Sequence, residues 1–206
     1  MLVGRTLEKL AHVAGEIEQR TGNADLAAVH IADVADAVQA RAMVTFTINR
    51  FGSLDALVNN AGSAALTPIA DHSPGHVEQV FAANALGPIN AIAAALPALR
   101  DAPDGVVVNV SSMAAHDPFP GLGVYGAAKA STEAICGAIR NEEPSVRAYA
   151  IAPGAVETPL LRSIVSEADL PTAATLDPDT VAAEIVACVT GATDLDPGAT
   201  RVMASP

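Results

Sequence analysis

The chain has 206 residues, half of them hydrophobic and 3% aromatic, with a net charge of −12. That length fits one domain with a sizeable core. The charge argues against nucleic acid and anionic membranes as partners, and two lone cysteines, Cys136 and Cys188, point to a reducing compartment without a disulfide framework.

In chain order, Leu2-Val3 reads as the end of a strand. Thr6 is placed to cap a helix running to Arg20, which Gly22 ends. Leu7, Leu10, Val13, Ala14 and Ile17 give that helix one apolar stripe. Residues 26–31 read as a short buried strand, and Asp33 or Asp36 caps the next helix, which stops near Gly52. Residues 54–59 form a continuous apolar strand. A long helix over 74–99, bent near Pro88, follows. Residues 106–110 read as a strand, 124–141 as a helix and 146–152 as a strand. Residues 154–177 read mostly as loop. Asp177-Pro178 opens a last helix to about Gly191, and 200–203 form a final strand. No run of about 18 uninterrupted apolar residues is evident, so no transmembrane helix is expected. Met1-Leu2-Val3-Gly4-Arg5 lacks the pattern of a signal peptide. A soluble, cytoplasmic protein is the expectation.

Short apolar strands alternating with helices predict a single α/β domain over 1–206, Rossmann-like and doubly wound, with helices on both faces of a parallel sheet. Ligands of such sheets bind at the carboxyl ends of the strands, where the chemistry-bearing residues cluster. Tyr125 and Lys129 are four apart, one helical turn on one face. An ammonium beside a phenol favours the phenolate and lowers a pKa that is ordinarily about 10. Ser112 lies thirteen residues before the tyrosine. A surface lysine beside a half-buried tyrosine is the bland alternative. Yet Asn59-Asn60-Ala61-Gly62 follows one apolar run, Asn84 lies in a later helix, and Pro153-Gly154-Ala155-Val156-Glu157-Thr158 follows another run.

These motifs, in this order, resemble the short-chain dehydrogenase/reductase family over nearly the whole chain. The resemblance implies hydride transfer between a nicotinamide cofactor and a carbonyl or secondary alcohol. Tyr125 is then the general acid or base, Lys129 lowers its pKa and binds the nicotinamide ribose, Ser112 orients the substrate oxygen, and Asn84 holds a relay water. Asn60, Ala61 and Gly62 correspond to the adenosine-side wall, Asp33 and Val34 to the adenine contact, and Pro153, Gly154, Val156 and Thr158 to the nicotinamide loop. Gly4-Arg5 stands where an acidic residue would select NAD; a guanidinium there suits a 2′-phosphate, so NADP is expected, with NAD possible.

The chain departs from the family pattern at its start. Neither Gly4 nor Gly15 belongs to a glycine-rich turn after a strand, the unit that grips the cofactor pyrophosphate. The first strand-turn-helix unit is therefore expected to be missing through N-terminal truncation. Its absence would leave unpaired edges between the strand ending near Val3 and that ending near Asn59. A non-catalytic relative unable to hold the pyrophosphate is the alternative function. Tyr149 stands where asparagine is common. His72 and His76 have no evident third ligand, so no metal is expected. Residues 116–122 and 160–176 should line a pocket for an apolar small molecule, and the alanine-rich helices around Ala91 and Ala128 suggest a homodimer or homotetramer.

Overall fold

Strand β4 (Val106–Val110) is four valines around Asn109, a β-branched run suited to a pleated surface covered on both sides. In the computed structural model, which describes residues 1–206, the alternation is used fully. Val107 with Ala148 and Ala150 faces one core, and Val106 and Val108 with Tyr149 and Ile151 face the other. β4 pairs in parallel with β3 (Ala56–Asn59) and β5 (Arg147–Pro153), and β5 pairs with β6 (Thr200–Met203), giving the order β3-β4-β5-β6. Helices α2 (Ala37–Phe51), α4 (Gly87–Asp101) and α5 (Gly123–Glu142) contribute Met43, Val44, Ile92, Leu99 and Ile139 to the first core. Helix α7 (Pro178–Thr190) contributes Val181 and Cys188 to the second. Burying each larger side chain stabilises the fold by about 1.5–3 kcal/mol. The fold is thus the Rossmann-like α/β arrangement the sequence predicts.

The sheet is split where the sequence places a break. β1 (Leu2–Gly4) and β2 (Val29–Ile31) form their own parallel pair, and β1 makes no ladder with β3. Helix α1 (Leu7–Thr21) packs on this pair but has no buried residue. Its apolar stripe exists in sequence, yet Leu7 remains 49% exposed, because two short strands offer too narrow a surface to cover it.

Several local readings are corrected. Thr6 sits at the N-cap of α1 without donating or accepting a side-chain cap bond. Asp36 caps α2, accepting from the amides of Val38 and Gln39, whereas Asp33 closes a turn by accepting from Ala35 N–H. Residues Ala24–Leu26 form a 3-10 turn, so the strand begins only at Val29. Helix α3 (Pro74–Phe81) passes through a π turn, Ala82–Leu86, into α4, and this turn rather than Pro88 interrupts the helix. Within 154–177 lies a short helix, α6 (Pro159–Arg162). The continuous helical run Pro74–Asp101 does meet the length and composition of a membrane span, contrary to expectation. However, Ala91, Ile92, Ala95 and Leu99 are buried against the first core, as in a core helix.

Candidate active site

The carboxyl ends of β3, β4 and β5 open into one cleft of about 1030 Å³. An amide chain holds the strand ends in register: Asn59 Nδ2 donates to Asn109 Oδ1 at 2.9 Å, and Asn109 Nδ2 donates to Thr132 O on α5 at 2.9 Å. The cleft takes in Asn60, Gly62, Ser112, Tyr125, Lys129, Pro153, Gly154, Val156 and Thr158. Its remaining walls are largely apolar, including Leu66, Phe119, Leu122, Leu160 and Ile164.

Asn84 is fully buried in the π turn. Its Nδ2 donates to Val80 O at 2.9 Å and Ser63 O at 2.8 Å, and its Oδ1 accepts from Ser63 N–H at 3.3 Å. The side chain therefore satisfies a helix carbonyl and latches the segment after Gly62. Both amide hydrogens are committed, so only the oxygen could receive a water. A Cβ at Gly62 would meet Asn84 Oδ1 at 2.6 Å and Lys129 Nζ at 3.4 Å, so glycine is required there by the protein's own packing.

Tyr125 and Lys129 lie one turn apart on α5, with Lys129 Nζ 5.8 Å from the phenol ring centroid. The lysine is 3% exposed, and its Nζ donates to Val110 O at 2.7 Å. Burial pulls the ammonium down from 10.5 to about 8. Burial also pushes the Tyr125 phenol above its ordinary value, opposed by the neighbouring Ser112 hydroxyl. The sequence reading of an acidified phenol is thus reversed. Desolvation outweighs the lysine, whose ammonium is aimed at Val110 O. Ser112 caps the 3-10 turn Met113–Ala115 and stands beside the phenol. Ser111 turns its hydroxyl to Glu133 instead.

Arg5 and Asp33 lie outside this cleft, at the carboxyl ends of β1 and β2, where their charged groups approach to 3.7 Å. Val34 packs beneath Gly87, where an added Cβ would meet it at 2.7 Å, and Ala61 is not among the lining residues. His72 and His76 stack with ring centroids 4.8 Å apart. Two features escaped the sequence reading. Ser205 accepts from Ala155 N–H at 2.8 Å, fastening the Pro153–Thr158 loop to the end of β6. Arg162 pairs with Glu157 and donates to Leu170 O, gathering the segment over the cleft. The guanidinium holds the Glu157 carboxyl down at about 2. Neither partnership has a local sequence signal.

The model of the short chain dehydrogenase family matches residues 1–169. The chain belongs to this family. An uncharacterized oxidoreductase of Staphylococcus saprophyticus is 31% identical over 164 residues, covering 78% of this chain and 65% of that protein. One from Listeria monocytogenes is 30% identical over 171 residues, covering 81% and 68%. One from Mycobacterium tuberculosis is 31% identical over 189 residues, covering 90% and 54%. The chain thus spans between about half and two thirds of the length of these relatives. An alcohol dehydrogenase of the archaeon Thermococcus sibiricus, complexed with 5-hydroxy-NADP, superposes with a TM-score of 0.83 at 26% identity, covering 99% of this chain and 84% of that one. An NADPH-bound short chain oxidoreductase of Pseudomonas aeruginosa gives 0.88 at 22%, covering 98% and 84%, a likeness of fold alone.

Proposed function

We propose that this single domain passes hydride between a nicotinamide cofactor, NADP in preference to NAD, and the carbonyl or secondary alcohol of an apolar small molecule. The observation that carries the reading is Tyr125, Ser112 and Lys129 together at the polar end of an otherwise apolar cleft. When bound, the cofactor supplies or accepts the hydride. The chain supplies the rest. Tyr125 keeps its proton at neutral pH, as a general acid for a carbonyl oxygen must, and Ser112 polarises that oxygen. Lys129 spends one N–H on Val110 O and has two more for ribose hydroxyls. Asn84 fixes the wall at Gly62, and the Pro153–Thr158 loop faces the nicotinamide. The exposed Arg5 guanidinium beside Asp33 marks the adenosine end; its loose 3.7 Å pairing leaves it free to take a 2′-phosphate.

NADPH titration tests this. Saturable, low-micromolar binding is expected, weakened about tenfold by Arg5→Ala, a change of about 1.4 kcal/mol, with NADH affinity unmoved. Equal loss for both cofactors would remove the arginine from phosphate recognition. The split between β1 and β3 favours a second reading, a non-catalytic relative whose pyrophosphate grip is incomplete. Absence of any binding supports that one. Two buried free thiols fit a cytoplasmic setting. The groove between α4 and α5, lined by Ile89, Ile92, Leu96, Ile135 and Ile139, suits self-association into a dimer or tetramer. Light scattering should report a mass above that of one chain, and a monomer alone would exclude it.

A further inference from the structure

Glu133 continues the face of α5 that carries Tyr125 and Lys129, one turn beyond the lysine and two beyond the tyrosine. Its side chain is only 15% exposed, yet the basic group it meets is a histidine rather than a lysine or arginine. Three partners converge on the carboxylate. Ser111 Oγ donates at 2.5 Å, His116 Nε2 lies at 3.1 Å, and Thr200 Oγ1 donates at 3.2 Å. Each partner belongs to a different part of the site. Ser111 immediately precedes Ser112 at the end of β4. His116 opens the segment whose Phe119 and Leu122 line the cleft. Thr200 begins β6, whose end carries the Ser205 fastening.

We infer that Glu133 is a positioning residue: it sets Ser112 against Tyr125 and anchors the root of the substrate-facing loop. This rests on the reading of Ser112, Tyr125 and Lys129 as the reacting set. The end of β4 is bolted to α5 at two successive turns, by Lys129 to Val110 O and by Glu133 to Ser111. Without Glu133 the second bolt is reduced to the longer hydrogen bond from Ser111 Oγ to Lys129 O at 3.3 Å, and Ser112 lies beyond it. The three partners share one property that makes the idea testable. Two hydroxyls and an imidazole can each reverse hydrogen-bond direction, so a glutamine of the same shape can occupy the centre, whereas alanine removes the shared partner of all three and leaves Ser111 only its longer bond to Lys129 O at 3.3 Å.

The experiment compares wild type, Glu133→Gln and Glu133→Ala in the full chain. The readouts are NADPH-dependent reduction of a long-chain aliphatic ketone, NADPH affinity, and backbone hydrogen exchange. Glu133→Ala should lower kcat about 10- to 100-fold through misplacement of the serine, with NADPH affinity unchanged, and Glu133→Gln should restore most of it. Amides of Ala115, His116 and Asp117, which bond back to Ser112 and Met113 carbonyls, should exchange at least about tenfold faster in Glu133→Ala alone. Wild-type turnover in Glu133→Ala, a loss that glutamine does not repair, or unchanged exchange at these amides overturns the inference. If wild type binds NADPH but reduces no ketone, the reading of the reacting set fails instead, and the exchange data alone decide whether Glu133 holds the loop.

Discussion

Tyr125→Phe lowers carbonyl reduction by about 10²–10⁴-fold, the range for removal of a general acid, while leaving the fold and NADPH affinity near wild type. The expectation follows from what the substitution leaves in place. The ring stays, so the packing of Tyr125 against Val80, Ala85 and Ala128 is retained. Ser112 still presents its hydroxyl, and Lys129 still bonds Val110 O. Only the phenolic hydroxyl, and with it the transferable proton, is removed. Because burial holds that proton above its ordinary pKa, the wild-type group is fully protonated across neutral pH, which favours the reductive direction. Alcohol oxidation needs the phenolate and should therefore gain as pH rises. Steady-state rates in both directions, with thermal unfolding as the control for folding, decide the matter. A variant that reduces ketones at near-wild-type rates takes Tyr125 out of the mechanism.

How far the sequence reaches depends on whether a feature is local. Strand β4, helix α7 and the ends of α1, α2 and α7 are legible because valine runs, Asp177-Pro178 and glycines act within a few residues. Gly22, Gly52 and Gly191 adopt φ of 70°, 89° and 75°, the left-handed stops that their positions suggest. That β1 and β3 form no ladder with each other is also in keeping with the sequence reading. Burial is another matter. The stripe on α1 has the right period, but whether it meets a surface is a property of β1 and β2 together. The π turn depends on Asn84 finding Ser63 and Val80, and no pattern within the helix announces it. The phenol's pKa was misread for the same reason. Spacing puts Lys129 beside Tyr125, but the direction of its ammonium and the depth of the cleft decide which effect wins.

Lys129→Met should yield a protein that is far less active yet harder to melt near neutral pH. The lysine is charged below about 8 in the fold and below 10.5 when unfolded. Below about pH 8 both states carry the charge, and the fold bears the full penalty of burying it, about 3 kcal/mol. Between about 8 and 10.5 the unfolded chain binds a proton that the folded chain lacks, so wild-type stability rises with pH through that window. Methionine fills nearly the same space without the charge. It forfeits the hydrogen bond to Val110 O, a loss of about 1 kcal/mol. The net gain near neutral pH is about 2 kcal/mol, or about 4–8 °C in Tm for a chain of this size. Above about pH 10.5 the penalty is gone from wild type, and the missing hydrogen bond should make the variant the weaker protein. Turnover should fall by on the order of 10²-fold at all pH values, because the amine donor that Lys129 places at the foot of the cleft is lost. Melting curves at the two ends of this range test the sign directly. A variant that melts lower than wild type near neutral pH would mean that the buried ammonium stabilises the fold, and that its retention needs no functional reason.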